Sequence, residues 1–333
     1  TIDDVKKEGF KTHIIDAIYE KDTKESMARF IGIVIQKLSE KIGNINPDIL
    51  LLLGDRGEML AGAIVGSYMT IPVAHMHGGE VTSTIDESTR HAITKLSHIH
   101  LAATKGSAER IIKMGEDPKN VFVVGAPGLD NILNKELISP DAISKQYDLD
   151  ISKPIVVVLQ HPVTIEIDKC EEQIRETMDA VAELGYQTIA IYPNADTGGR
   201  KMIDAMNRYK SYKSIRMFKN IPSDEYLSIL NISSVMVGNS SGSIIEAPSF
   251  GLPVVNVGIR QDGRERSENI IDVDHDKDEI KRAIEKAIND KDFKKQVNCC
   301  ENPYENGNAS DKIVDVLAGI KINKELIQKK ITY

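Results

Sequence analysis

Cysteine is scarce in this sequence. Cys170, Cys299 and Cys300 are the only three in 333 residues, and they offer neither a disulfide framework nor CxxC metal pairs. A reducing, cytoplasmic setting is the expectation. A basic excess is missing too. The formal charge is −8, so nucleic acid is not an expected partner, although a few local cations suffice to hold a phosphate. No apolar run approaches the length of a membrane span, so no membrane partner is expected. The start, Thr1-Ile2-Asp3-Asp4, is polar and carries no signal-peptide pattern. There is no internal repeat, no low-complexity tract and no GxGxxG fingerprint, and no cofactor is expected.

What is present is alternation. Short apolar, β-branched runs recur at Ile49–Leu53, Ile71–Ala74, Val121–Val124, Ile155–Leu159, Thr188–Ile191, Val235–Val237 and Val254–Val257. Most are apolar throughout rather than alternating, which suits strands of parallel sheets covered on both faces. Helical patterns lie between them at Lys24–Ile42, Glu87–Ile99, Glu171–Leu184 and Asp278–Ile288. The fold class expected is α/β, with two Rossmann-like, doubly wound domains around a central cleft. Ser139-Pro140-Asp141 and Ser152-Lys153-Pro154 bracket a break, which divides the chain into residues 1–150 and 151–310. A last helix, 311–333, is expected to pack back on the first domain.

In such sheets ligands sit beyond the carboxyl ends of the strands. The residues there are Gly54-Asp55-Arg56, His75-Met76-His77-Gly78-Gly79-Glu80, Gln160-His161-Pro162 and Gly238-Asn239-Ser240-Ser241-Gly242-Ser243. Turn chemistry alone explains any one of these loops. Four together point to a site. The Gly238–Ser243 loop leads into a helix pattern, where free N–H groups and small residues suit a phosphate; a plain Ser N-cap is the simpler alternative. Glu246 follows early in that helix, within reach of a ribose hydroxyl pair. Arg260, and beyond it Arg264 and Arg266, are cations available to a diphosphate, unless Glu265 and Glu268 pair with the latter two. Asp86 and Arg90, four apart, share a helix face, which suggests a carboxylate held by Arg90. Asp55, Glu80 and Asp86 then make three carboxylates near one cleft, as acid–base chemistry requires. His75, His77, His98 and His100 lack a carboxylate set for zinc, and no metal is expected.

The ordered set of motifs resembles the hydrolysing UDP-N-acetylglucosamine 2-epimerases. It comprises Gly54-Asp55-Arg56, His75-x-His77-Gly78-Gly79-Glu80, Ile85-Asp86-Glu87-Ser88-x-Arg90-His91, Gln160-His161-Pro162-Val163-Thr164, Gly238-Asn239-Ser240-Ser241-Gly242 with Glu246, and Gly258-x-Arg260-Gln261-x-Gly263-Arg264-Glu265. The resemblance implies a GT-B-like fold and a UDP-sugar held between the domains, with UDP as a product. It implies that Arg56, His161, Ser240, Ser241, Gly242, Glu246 and Arg260 bind UDP. It also implies that Asp55, Glu80, Asp86, His161, Arg90 and His77 surround the reacting sugar. Relatives are commonly dimers or tetramers, which makes Lys24–Ile42 a candidate interface helix. Two departures stand out. Family members begin with a strand ending in a Gly-Thr-Arg-type loop, which has no equivalent before Asp55, so that first strand and loop are expected to be missing. Animal members carry a glutamate where His77 aligns. Rival expectations are the same reaction on a 2,4-diacetamido-6-deoxy sugar of legionaminic acid synthesis, a non-hydrolysing epimerase, a GT-B glycosyltransferase and a catalytically silent nucleotide-sugar binding module.

Overall fold

Apolar runs without alternation need cover on both faces, and that requirement shapes the molecule. The computed structural model describes residues 2–18, 23–82, 85–134, 136–194, 197–305 and 307–332. Within them, strands β1 (Leu50–Leu53), β2 (Val73–Met76), β3 (Ile99–Ala102) and β4 (Val121–Val123) form one parallel sheet in the order β1-β2-β3-β4. A second parallel sheet contains β5 (Ile155–Leu159), β6 (Gln187–Ile191), β7 (Ile215–Phe218), β8 (Val235–Gly238), β9 (Val254–Val257) and β10 (Ile270–Val273), in the order β10-β9-β8-β5-β6-β7. The molecule is therefore the expected pair of α/β bodies.

Side-chain alternation splits each sheet between two cores. In the second sheet, Val156, Val158, Val235 and Val237 face Ile174, Met178 and Ile284 on the helices Cys170–Leu184 and Lys277–Asn289. Their neighbours Ile155, Val157 and Met236 face the other way, onto Ile143, Tyr147, Ile229 and Leu230. Ile143 and Tyr147 belong to the helix Pro140–Tyr147, so a division at residue 150 cuts through the second core; the chain changes body before this helix. In the first sheet, Ala74, Ile99 and Leu101 pack with Ile313 of the helix Ala309–Gly319 and Leu326 of the helix Lys324–Ile327. β1 lies at an edge, with Leu51 45% and Leu53 52% exposed. Edges of this kind are normally paired or covered.

Three strands escape the sequence reading, each because a polar residue interrupts its run: His100 in β3, Arg216 in β7 and Asp272 in β10. β7 and β10 are the two edges of their sheet, where polar groups reach solvent. β2 starts two residues later than expected, so His75 lies inside the strand and is fully buried rather than in the loop beyond it. No helix among the described residues is long and apolar enough to cross a membrane.

Candidate active site

The carboxyl ends of both sheets face one cavity of about 300 Å³. On the first-domain side, β1 runs into Gly54 and Asp55. The His75 ring anchors that turn. Its Nε2 lies 2.8 Å from the Gly54 carbonyl, which can only accept, so Nε2 carries the proton and Nδ1 accepts from the Thr94 hydroxyl at 3.2 Å. Burial pushes the His75 pKa down to about 3, so the ring is neutral and structural.

β2 ends in a turn that places His77 at φ 60°, a left-handed conformation unusual for a residue with a side chain. Gly79 follows at φ 77°, pressed against the Ser107 carbonyl, where no Cβ would fit. This turn aims Glu80 inward. Its side chain is only 1% exposed, with Oε1 at 2.6 Å from His77 Nδ1 and Oε2 accepting from Arg264 Nη2. Burial opposes the charge on Glu80, but Arg264 and then His77 overcome it and hold the carboxyl far below the usual carboxylate range.

Arg90, 1% exposed, sits behind this group. It donates to Asp55 Oδ2, to the Glu80 carbonyl at 2.9 Å and to Thr82 Oγ1 at 3.4 Å. The expected Asp86–Arg90 partnership is therefore replaced. Arg90, on the helix Ile85–Leu96, pairs with Asp55, while Asp86 Oδ2 lies 4.0 Å from Arg260 Nη2 of the second domain.

The second-domain side is built at the point where sheet order reverses. β5 lies between β8 and β6, so the chain leaves β5 and β8 on opposite sides and a crevice opens at their ends. His161 and Asn239 lie there. The Asn194 N–H donates to His161 Nδ1 at 3.2 Å, which leaves the ring proton on Nε2. Burial first, then Arg260 and Arg56, depress the His161 pKa to about 3, making the ring a neutral donor. Gly238, at φ 132°, packs on the Leu159 carbonyl with no room for a Cβ, which lets the next loop lie close to His161.

In that loop Ser240 takes the simpler role. It is buried, and its Oγ accepts from the Gly242 N–H at 3.3 Å as the N-cap of the short helix Ser241–Ile245. Ser241 and Gly242 line the cavity instead. Glu246 also lines it. Burial raises the Glu246 pKa, against the lowering effect of a hydrogen bond from the Tyr226 hydroxyl. Arg260 donates to the Asn239 carbonyl at 3.0 Å, and Gln261 donates to the same carbonyl at 2.8 Å. Arg56 stands at the start of the helix Gly57–Tyr68, half-exposed, with Nε at 3.4 Å from Glu58 Oε2. It lines a second cavity that shares Asp55, Asp86 and Arg260 with the first.

Arg264 and Arg266 part company. Arg264 is buried on Glu80, whereas Arg266 pairs with Asp272 at 2.6 Å near the surface. Glu265 partners neither; it reaches Thr104 in the first domain. Sequence reasoning missed Gln261, Tyr226 and the destination of Arg264. Gln261 and Arg264 sat in a recognised motif, but nothing local says where their side chains go. The other two histidines weighed as metal ligands are tied into the fold: His98 Nδ1 accepts from the Val73 N–H at 3.1 Å, and His100 Nε2 lies 3.0 Å from Glu116 Oε2. Among the described residues no group of His, Cys, Asp or Glu is arranged to hold a metal ion.

Comparison with known proteins adds four findings. Residues 1–318 match the family model described as UDP-N-acetylglucosamine 2-epimerase. The chain is 40% identical over 330 residues to a Legionella pneumophila protein named UDP-N,N'-diacetylbacillosamine 2-epimerase (hydrolyzing), covering 99% of this chain and 86% of that one. It is 37% identical over 263 residues to a UDP-N-acetylglucosamine 2-epimerase of Neisseria meningitidis serogroup B, covering 79% of this chain and 69% of the other. In fold it resembles the crystal structure of the UDP-GlcNAc 2-epimerase from Neisseria meningitidis bound to UDP-GlcNAc, with a TM-score of 0.75, 19% identity, and coverage of 90% of this chain and 84% of that one.

Proposed function

The chain belongs to the UDP-N-acetylglucosamine 2-epimerase family, and from that premise we propose that it is a hydrolysing 2-epimerase of a UDP-linked 2-acetamido sugar. The observation that carries this reading is one cavity bounded by both kinds of chemistry. Ser241, Gly242, Glu246 and Arg260 supply an anion and ribose site, while Asp55, Asp86 and the His77–Glu80 pair supply proton transfer. A base takes the C2 proton as the C1–O bond to UDP breaks, leaving a 2-acetamidoglucal. Water adds its oxygen to C1 and a proton returns to C2 from the opposite face. The products are UDP and the free 2-epimeric sugar, N-acetylmannosamine when the substrate is UDP-N-acetylglucosamine. We assign to His161, neutral with its proton on Nε2, the role of donor to the departing phosphate, and to Arg260 that of holding the diphosphate charge. No metal or redox group enters these steps.

A second substrate reading has its own support. The 40% likeness to a UDP-N,N'-diacetylbacillosamine enzyme covers 99% of the chain, which favours a 2,4-diacetamido-6-deoxy sugar. Both substrates belong in the test. The full-length protein is incubated with each in heavy water, and products are read by NMR. Free UDP with deuterium at C2 of a free, inverted sugar is the expected outcome. Deuterium at C2 with UDP still attached would indicate a non-hydrolysing epimerase. Free UDP with C2 unlabelled would indicate a glycosyltransferase acting as a hydrolase, and no turnover a binding module.

A further inference from the structure

Both carboxylate oxygens of Glu80, which lines the cavity, are already engaged within the protein. Its side chain is 1% exposed, one oxygen is engaged by His77 Nδ1 and the other by Arg264 Nη2. His77, 13% exposed, lines the cavity, and with Nδ1 turned to Glu80 its Nε2 is the ring nitrogen that serves the cavity. His77 also has a left-handed backbone, the pattern of strain kept at a functional turn.

Arg264 comes from the other domain, 184 residues away in sequence. Its second nitrogen, Nη1, donates to Gln261 Oε1 at 2.9 Å, and Gln261 Nε2 donates to the Asn239 carbonyl at 2.8 Å, immediately before the Ser240-Ser241-Gly242 loop. An unbroken path of hydrogen bonds thus runs from the anion loop through Gln261 and Arg264 to Glu80 and His77. The next residue, Glu265, crosses the same interface to the start of the helix Lys105–Lys113. There it accepts from the Thr104 hydroxyl and, at 3.4 Å, from Ser107, while Tyr304 donates to its carbonyl at 2.9 Å. The two domains are tied together at this point.

We propose that Arg264 is a positioning residue that supplies, from the second domain, the cation holding Glu80 against His77, so that the proton-transfer pair is complete only when the domains are closed. His77, not Glu80, is then the group that touches the sugar, and Glu80 acts through it. The inference rests on the epimerase reading above. The other charged groups around the pair are Arg90 on the Glu80 carbonyl, Arg110 on the Gly79 carbonyl, Asp55 on Arg90, Tyr304 and Glu265 beside Arg264, and Asp86 with Arg260 across the cavity. None of these cations takes either carboxylate oxygen of Glu80, so Arg264 has no local substitute among the described residues.

The test compares Arg264→Gln, Arg264→Lys and Glu265→Gln with the wild type, reading kcat and KM against pH and, independently of activity, the titration of the His77 ring by NMR in 13C-histidine-labelled protein, assigned with His77→Asn. Without the cation the pair keeps a proton to higher pH. In Arg264→Gln the acid limb of kcat and the His77 titration should both move up by about one to three units, the scale of an adjacent opposite charge. Its kcat at neutral pH should fall by at least about tenfold, in keeping with a lost contribution to acid–base catalysis. Arg264→Lys should leave the limb in place but lower kcat, because the charge stays and the fork to Gln261 and Glu80 is lost. Glu265→Gln loosens the same loop and should leave both titrations where they were. An unmoved His77 titration in folded Arg264→Gln, or an equal shift in Glu265→Gln, overturns the proposal. If Arg264→Gln does not fold, an undiminished kcat in Arg264→Lys overturns it. An inactive wild type would count against the epimerase reading, while the His77 titration would still decide the pairing.

Discussion

His161 and Asn239 exchange two hydrogen bonds: the His161 N–H donates to Asn239 Oδ1 at 2.7 Å, and Asn239 Nδ2 donates to the His161 carbonyl at 3.0 Å. A fully buried side-chain amide thereby stitches the end of β5 to the end of β8, across the crevice where the sheet order reverses. The Asn239 carbonyl also receives Arg260 and Gln261, so a single residue aligns the histidine, the anion loop and the arginine.

Asn239→Ala should therefore weaken UDP binding without removing any group that lines the cavity. Two backbone groups of His161 lose their partners, at a cost of about 1–3 kcal/mol for each buried group left unsatisfied. Melting temperature should fall, and calorimetric UDP affinity should drop by at least about tenfold, since 1.4 kcal/mol corresponds to a factor of ten. Unchanged affinity in a folded variant would show that the stitch does not align the loop.

Glu246 offers a pH handle on nucleotide binding. Its pKa is raised above the ordinary 4.5, chiefly by burial, so the ionised form is lost at a higher pH than for an exposed glutamate. If the carboxylate accepts from the ribose hydroxyls, UDP affinity of the wild type should decline as pH falls through that raised value. Glu246→Gln should bind more weakly at neutral pH, by about 1.5–3 kcal/mol for a lost charged hydrogen bond, and show no such decline. Arg260→Ala should weaken binding by a similar amount. Calorimetry across pH 5–8 (about the range where most folded proteins stay intact) checks each point.

Asp55 and Asp86 should separate binding from turnover. Asp55→Asn and Asp86→Asn remove proton-transfer candidates but keep side-chain shape, so kcat should fall by at least about a hundredfold. UDP affinity should change little. Asp55→Asn should also cost stability, because Arg90 is buried and loses its anionic partner. Near-normal turnover in either variant would assign that aspartate a structural part only.

Glu116 makes acid stability a local reading. Burial opposes its charge, but His100, Lys329 and Lys95 hold its pKa down to about 2, from an ordinary 4.5. A depressed carboxylate contributes stability above its unfolded value and loses it as pH falls through the folded one. The stability gap between wild type and Glu116→Gln should thus be full at neutral pH and shrink between about pH 4.5 and pH 2. Because Lys329 Nζ lies 2.6 Å from Glu116 Oε2, proteolysis of the C-terminal segment should accelerate over the same window. A gap that stays constant with pH would contradict this.

Much of this site was visible in one dimension because of where α/β sheets put their chemistry. The apolar runs at Ile155–Leu159 and Val235–Val237 located two strand ends, and with them His161 and Ser241, without any knowledge of packing. The edge strands of the second sheet were less legible: Arg216 and Asp272 break their runs because one side of an edge faces water. Ser240 was read as a phosphate ligand with an N-cap as the alternative, and its Oγ caps the following helix, since the two roles call for the same residue at the same place.

The sequence by itself determined the α/β class, where along the chain most of the strands fall, and which loops carry polar groups. These follow from local apolar patterns and turn chemistry, which act over a few residues. Only the tertiary structure decided who pairs with whom. Asp86 faces Arg260 rather than Arg90, and Glu80 is held by an arginine 184 residues away, because partners across a domain cleft are chosen by how the two bodies close. No local pattern encodes that distance, and a buried carboxylate takes whichever cation the closure brings to it.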